Sequence, residues 1–187
     1  MAIIRKPSKP DYTKPGAYRP IALINSIAKI LSSCLSEDLT TMAELSQLLP
    51  ANHFRGRPGR TTSDSLHYVA KFTKEAWRKG EVVSTLFLDI KSTFPSVRLK
   101  RLTHNVRSRG IPTQYTDWLQ RKVSNRKTHI AFDGHVSEPR NLLSSLDQGC
   151  PLLGIAFQFY NADLIDIPNK KSGEDAVAFM DDTLLLA

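Results

Sequence analysis

Ala176-Val-Ala-Phe-Met-Asp181-Asp182-Thr-Leu-Leu-Leu-Ala187 decides the reading of this chain: two adjacent acids stand between two short apolar runs. The runs, Ala176–Met180 and Thr183–Ala187, have the length and composition of strands. The acids at their junction admit two readings. Asp is common in turns, so the pair suits a solvated hairpin. Like charges beside a sheet are costly to desolvate unless a cation compensates, so the pair equally suits a metal site.

Asp89 shifts the balance towards the metal. Val82-Val-Ser-Thr-Leu-Phe-Leu88 is β-branched and apolar, and reads as a buried strand ending at Asp89. Pro95 forbids its continuing as a central strand. If that strand lies beside the 176–187 hairpin, three carboxylates converge at one sheet edge. Hard divalent cations such as Mg²⁺ prefer oxygen ligands, and substrate phosphates complete their shell. Two such ions suit phosphoryl transfer, one activating the attacking oxygen and one stabilising the leaving oxygen.

Outward from these acids the chain mixes helices and strands. Pro7, Pro10, Pro15 and Pro20 make residues 7–20 extended or turning. Ile24, Ile27, Ala28, Leu31, Leu35, Leu39 and Met42 recur every three or four residues, which predicts a long helix ending before Pro50. Thr61, Thr62 and Ser63 offer N-caps for a second helix that Gly80 stops. Leu99, Leu102 and Val106 mark a basic helix closed by Gly110. Tyr115, Trp118, Leu119 and Val123 mark another. Asp133-Gly134 predicts a tight hairpin turn, and Gln148-Gly-Cys-Pro151 a loop before an apolar helix through Leu164. No regular βαβ alternation emerges, so the expected class is α+β.

The 187 residues carry a formal charge of +8. It is unevenly spread: residues 161–187 hold two lysines and six acids, a net of −4, leaving +12 on the first 160. Basic clusters fall at 1–20, 55–60, 98–109 and 121–127. Each alone suits a solvated face, and together they point to a polyanion such as nucleic acid. No apolar run approaches the roughly 18–20 residues of a membrane span, and the N-terminus lacks the apolar core of a signal peptide. Cys34 and Cys150 provide neither a disulfide framework nor metal-ligand spacing.

Five segments in order resemble the reverse transcriptases of non-LTR (LINE-like) retrotransposons. Lys14-Pro-Gly-Ala-Tyr-Arg-Pro-Ile21 looks like the fingers motif ending in Tyr-Arg-Pro-Ile. His53-Phe-Arg-Gly-Arg-Pro-Gly-Arg60-Thr-Thr-Ser-Asp64 resembles the Gly/Arg-rich loop and the helix after it. Phe87-Leu-Asp89-Ile-Lys-Ser-Thr-Phe94-Pro-Ser-Val97 resembles motif A, Gln148-Gly-Cys-Pro-Leu152 motif B, and Phe179-Met-Asp181-Asp182 motif C. The resemblance implies a fingers region over 1–80 and an incomplete palm over 81–187, without a thumb. It implies an RNA-directed DNA polymerase that uses Mg²⁺ or Mn²⁺, an RNA template, a DNA primer and dNTPs, and acts in the nucleus. Asp89, Asp181 and Asp182 would be the catalytic, metal-binding carboxylates. Arg19, Ile90, Phe94, Gln148 and Gly149 would form the nucleotide site, with Phe94 at the steric gate under the sugar. Met180 would pack near the primer end, and Arg55, Arg57 and Arg60 would bind nucleic acid.

Departures from the family pattern cluster around these motifs. Ser92-Thr93 replace a small Gly-Ala pair, Asp147 replaces a proline and puts a negative charge near a phosphate-binding region, and Leu153-Gly154 replace Ser-Pro. The chain stops five residues after Asp182, so its last strand is expected to expose an apolar edge, and processive synthesis is not expected. The second expectation is a retroelement relic, inactive in catalysis, that binds nucleic acid through its basic clusters. A third reading, an unrelated metal-dependent phosphohydrolase, is disfavoured by the order of the motifs.

Overall fold

A computed structural model of the chain describes residues 1–90, 93–142 and 146–187. β1 (Ala2–Arg5) pairs antiparallel with β2 (Tyr18–Ile21), and the proline-rich stretch between them turns. Pro20 has no amide to donate, and it lies on β2 at the edge of the sheet, where no ladder bond is lost. α1 (Ser26–Leu45) starts where the Asn25 side chain accepts from the Ala28 amide. α2 (Thr62–Arg78) starts at a reciprocal capping box between Thr61 and Asp64.

β3 (Thr85–Asp89) leads through the short α3 (Thr93–Ser96) to α4 (Leu99–Ser108) and α5 (Thr113–Val123). β4 (Arg126–Thr128) pairs with the later β7 (Arg140–Leu142). Between them, β5 (Ala131–Phe132) and β6 (His135–Val136) close over Asp133 and Gly134. Both turn residues have positive φ, 50° and 77°, as the two-residue turn expected from Asp-Gly requires. α6 (Leu153–Ile165) runs into β8 (Asp175–Phe179) and β9 (Asp182–Leu186), the predicted hairpin around the paired acids.

The strands form three sheets among the described residues, in the orders β2-β1-β5-β6, β3-β9-β8 and β4-β7. β5 joins β1 in parallel, so residues 131–136 extend the N-terminal sheet. Residues 52–54 reach the other way: the Phe54 amide donates to the Ala178 carbonyl at 2.9 Å, and the Ala178 amide to the Asn52 carbonyl at 3.0 Å. The chain thus crosses the 80/81 boundary in both directions.

The main core lies where α6 packs between α1, α4 and α5, with Phe157, Phe159, Leu102 and Ala162 fully buried. α6 is apolar around most of its circumference, as a helix buried on all sides must be. Truncating Phe157 to Ala would cost about 3–5 kcal/mol.

Two expectations about the second sheet are corrected. The strand ending at Asp89 is not buried: β3 is an edge strand, and Leu86 and Phe87 are 55% and 78% exposed. Apolar composition cannot tell a buried strand from an uncovered edge. The last strand does not expose an edge either, because β9 lies between β3 and β8 and both its backbone edges are paired. The strand at 2–5 carried no signal in the sequence.

Candidate active site

The hairpin and β3 bring the acids together. The register of β3 against β9 runs from Thr85↔Leu186 to Asp89↔Asp182. Cα atoms of directly opposed antiparallel residues lie about 4.5–5.5 Å apart. Asp89 and Asp182 therefore face each other across the ladder, and Asp181 occupies the turn beside them. Phe179 pairs with Asp182, which leaves Met180 and Asp181 as a two-residue turn. Met180 has φ +65°. A first turn residue with positive φ follows the II′ pattern, where glycine is usual, and a bulky side chain there is strained.

The donor set is chemically right for a hard divalent cation: three carboxylates, two at opposed register positions and one in the turn between. Among the described residues, however, no group of three or more His, Cys, Asp or Glu side chains is gathered to hold a metal ion. The backbone sets Asp89 opposite Asp182 with Asp181 in the adjoining turn.

The nucleotide-site candidates are drawn from three parts of the chain. The Ala22 amide, just past Arg19 and β2, donates to the Gln148 carbonyl at 2.9 Å. The Leu146 amide donates to the Phe94 carbonyl at 3.2 Å. These bonds tie the Arg19 strand, the Phe94 turn and the Gln148-Gly149 loop into one neighbourhood. Gly149 has φ +103°, and a Cβ there would meet the Ala22 carbonyl oxygen at 3.5 Å, so this loop needs glycine for its backbone. Phe94 is half-buried, with its ring edge-on to Phe157 at 5.8 Å. Ile90 follows Asp89 and packs against the main core. Arg19 is exposed. Ser92 lies outside the described residues.

The arginines of the 55–60 loop divide. Arg55 is exposed, and its guanidinium lies 5.6 Å from the centre of the Phe179 ring, beside the hairpin. Arg60 bonds the Ala51 carbonyl and lies over Phe54. Arg57 is corrected: it is 6% exposed and taken up inside the protein. Its Nε and Nη2 donate to the Glu44 carboxylate at 2.5 and 2.9 Å, and its Nη1 to the Pro50 and His53 carbonyls. The Arg57 guanidinium holds the Glu44 carboxyl below its ordinary range.

Part of the basic excess is paired within the protein, half-exposed at Arg101 and Arg107 and largely buried at Arg109. Arg101 pairs with Asp163, Arg109 with Asp163 and Asp166, and Arg107 with Asp117. Arg101 and Arg109 thus neutralise Asp163 and Asp166 of the acidic C-terminal region, while Arg107 pairs with Asp117 outside it. Arg126 pairs with Asp147, which compensates the charge of that acid. Both cysteines are free.

Sequence reasoning missed the polar groups beneath the hairpin. Asn161 on α6 is 4% exposed, and its Nδ2 donates to the Thr183 hydroxyl at 3.1 Å and the Met180 carbonyl at 3.4 Å. Asp175, at the start of β8, accepts from Asn52 Nδ2 at 2.9 Å, from the Tyr68 hydroxyl and from the Ala176 amide. Burial and the Asp175 carboxylate push the Tyr68 hydroxyl up to about 12. His53 is fully buried, and neither ring nitrogen has a partner of hydrogen-bonding geometry, though the Met180 backbone lies close. Burial, then the charges of Arg57, Arg109 and Arg60, push its pKa down to about 4. The signal available in the sequence was Gln158 and Asn161 inside a mostly apolar helix.

A cleft of about 380 Å³ opens on one face of this sheet, between Leu66 and Val69 of α2 and Phe87, Asp89, Phe179, Asp182 and Leu184. No helix among the described residues is long and apolar enough to cross a membrane.

Comparison with known proteins places this geometry. Residues 4–187 match the family model described as reverse transcriptase (RNA-dependent DNA polymerase). The chain is 27% identical over 164 residues to a probable RNA-directed DNA polymerase from transposon X-element of Drosophila melanogaster, which covers 88% of this chain. It is 26% identical over 178 residues, 93% of its length, to the RNA-directed DNA polymerase from mobile element jockey of the same organism. It spans 18% and 19% of those relatives. Among solved structures it superposes on apo telomerase from Candida tropicalis with a TM-score of 0.62, at 8% identity, over 84% of this chain and 30% of that one. Telomerase from Candida albicans in complex with a TWJ fragment of telomeric RNA gives 0.57 at 12% identity, over 86% and 30%. At such identities the likeness is one of fold.

Proposed function

This chain belongs to the reverse transcriptase family, and we propose that it is the fingers and palm segment of a non-LTR retrotransposon's RNA-directed DNA polymerase. In this reading residues 1–80 form the fingers-type region and 81–187 the palm, with 131–136 crossing back to extend the fingers sheet. The observation that carries the proposal is the register that sets Asp89 opposite Asp182 with Asp181 in the adjoining turn.

The reaction is attack of a DNA primer's 3′-hydroxyl on the α-phosphate of a dNTP, with release of pyrophosphate. Asp89, Asp181 and Asp182 would hold Mg²⁺ or Mn²⁺. Bound there, the two ions would supply the Lewis acidity that activates the hydroxyl and neutralises charge on the leaving group. The remaining work falls to this chain's own residues. Phe94 would lie under the sugar and disfavour a 2′-hydroxyl, with Ile90 beside it. Gln148 and Gly149 would border the incoming base and template. Arg19 would bind the triphosphate, for which its planar fork is suited. Met180 would support the primer end, and Arg55 and Arg60 would contact nucleic acid. The nuclear site of action belongs to the same proposal and rests on the family alone.

Primer extension on an RNA template tests it. Incorporation by the parent that Asp181→Asn abolishes supports the polymerase. Intact, salt-sensitive RNA binding with no incorporation at any Mg²⁺ or Mn²⁺ concentration overturns it.

A further inference from the structure

The turn that carries the acids is an unfavourable one, and something must hold it. Met180 sits at φ +65° with a full side chain, a conformation that persists only when the surroundings over-determine it. The α6 residue beneath it is Asn161, 4% exposed. One carboxamide nitrogen spans the turn: it donates to the Met180 carbonyl before Asp181 and to the Thr183 hydroxyl after Asp182. Thr183 is itself 2% exposed, so the bond to its hydroxyl is made away from competing water, while the bond to the Met180 carbonyl is partly buried. Met180 packs against the main core, with Gly154 of the first turn of α6 beside it, where a Cβ would stand at ordinary contact, 3.9 Å from Met180 Cε. One buried helix therefore supports the turn at both its backbone and its side chain.

The structure assigns Asn161 the part of a positioning residue for the carboxylate turn. Asn161 touches neither nucleotide nor metal in this account. It holds the Met180-Asp181 peptide in the left-handed entry that fixes where Asp181 and Asp182 point. This rests on the polymerase reading above, because it matters only if those acids bind cations. It goes beyond that reading by placing a determinant of their geometry on the buried helix, at a position outside all five sequence motifs.

The test uses the full chain and Mn²⁺ as the probe, with free Mn²⁺ followed by electron paramagnetic resonance. Asn161→Leu keeps the branched side-chain shape, with bulkier methyl groups, and removes both donors. It is expected to weaken Mn²⁺ binding about tenfold, and in primer extension to lower kcat about as much with KM for dNTP little changed. Met180→Gly in the Asn161→Leu background is expected to recover at least about threefold of the lost affinity, because glycine adopts positive φ unaided. A merely structural role predicts no such rescue. Thr183→Val, which removes one arm of the clamp and keeps a β-branched strand residue, supplies a second variant should Asn161→Leu not fold. Faster amide exchange at residues 181 and 182 together with weaker Mn²⁺ binding supports the assignment there. Asn161→Leu or Thr183→Val with parental affinity, while Asp181→Asn loses it, overturns the assignment alone. Mn²⁺ binding that Asp181→Asn leaves untouched overturns the polymerase reading with it.

Discussion

The buried histidine under the hairpin makes stability depend on pH in a way that one substitution isolates. His53 is fully buried, faces Arg57, Arg60 and Arg109, and has its pKa pushed down from 6.5 to about 4. The sign follows from the protons bound. Below pH 6.5 the unfolded chain takes up a proton that the folded chain refuses until about pH 4. The stabilisation from keeping His53 neutral is therefore complete above pH 6.5, and it is lost as pH falls towards 4. At about 1.36 kcal/mol per unit, the full window is worth about 3 kcal/mol, of which about 2.5 is lost between roughly pH 7.5 and pH 4.5. His53→Phe removes the titration and keeps an aromatic ring. Both nitrogens lack partners, so near pH 7.5 the variant is expected within ~1 kcal/mol of the parent. Urea unfolding of both chains at the two pH values reads the effect. Acid titration of the carboxylates is common to both, so the parent should lose about 2.5 kcal/mol more than the variant on acidification. Parallel losses in the two chains refute the reasoning, because His53 would then protonate without cost.

Tyr68→Phe removes one donor to the buried Asp175 carboxylate, leaving Asn52 and the Ala176 amide. It should cost about 2 kcal/mol, and a double-mutant cycle with Asp175→Asn should show coupling above ~1 kcal/mol. Glu44→Gln replaces the carboxylate that accepts two bonds from the buried Arg57. The Glu44 pKa is lowered in the fold, so its contribution is present above the unfolded carboxylate value. It is lost as pH falls through the folded one, and the gap between parent and variant in urea unfolding should close on acidification. Gly154→Ala adds a methyl at ordinary contact with Met180 Cε, 3.9 Å away. It should stabilise by ~0.5 kcal/mol in thermal unfolding through reduced chain entropy, with a fall in stability counting against the packing described.

The helices were legible because their signals are local. The three- and four-residue spacing through Ile24 and Met42, the Thr61 cap and the stops at Gly80 and Gly110 all act within one or two turns. Asp133-Gly134 likewise declared its hairpin. What stayed hidden was set by long-range pairing. Nothing in Thr85-Leu-Phe-Leu-Asp89 reveals that its partner is β9 and that its other edge is open. β1 is short and finds its place only by pairing with β2 and β5. The acids were legible as a motif, and their opposition across the ladder is a property of the sheet. Arg57 shows the limit of reading charge: in a Gly/Pro/Arg loop it looks like a nucleic-acid contact, yet Glu44 and two backbone carbonyls hold it inside. Asn161 was invisible as a support because its partners, Met180 and Thr183, lie about twenty residues further along the chain.

The central claim is that Asp89, Asp181 and Asp182 form one metal-dependent centre of nucleotide addition. Single-nucleotide incorporation on an RNA-templated primer, at saturating Mg²⁺, tests it most directly when each acid is changed to Asn in turn. The account predicts that each substitution lowers incorporation by at least about 10³-fold while RNA affinity holds within about threefold. Incorporation that survives Asp89→Asn at the parental rate would contradict it, because the acid that β3 sets against Asp182 would then lie outside the chemistry.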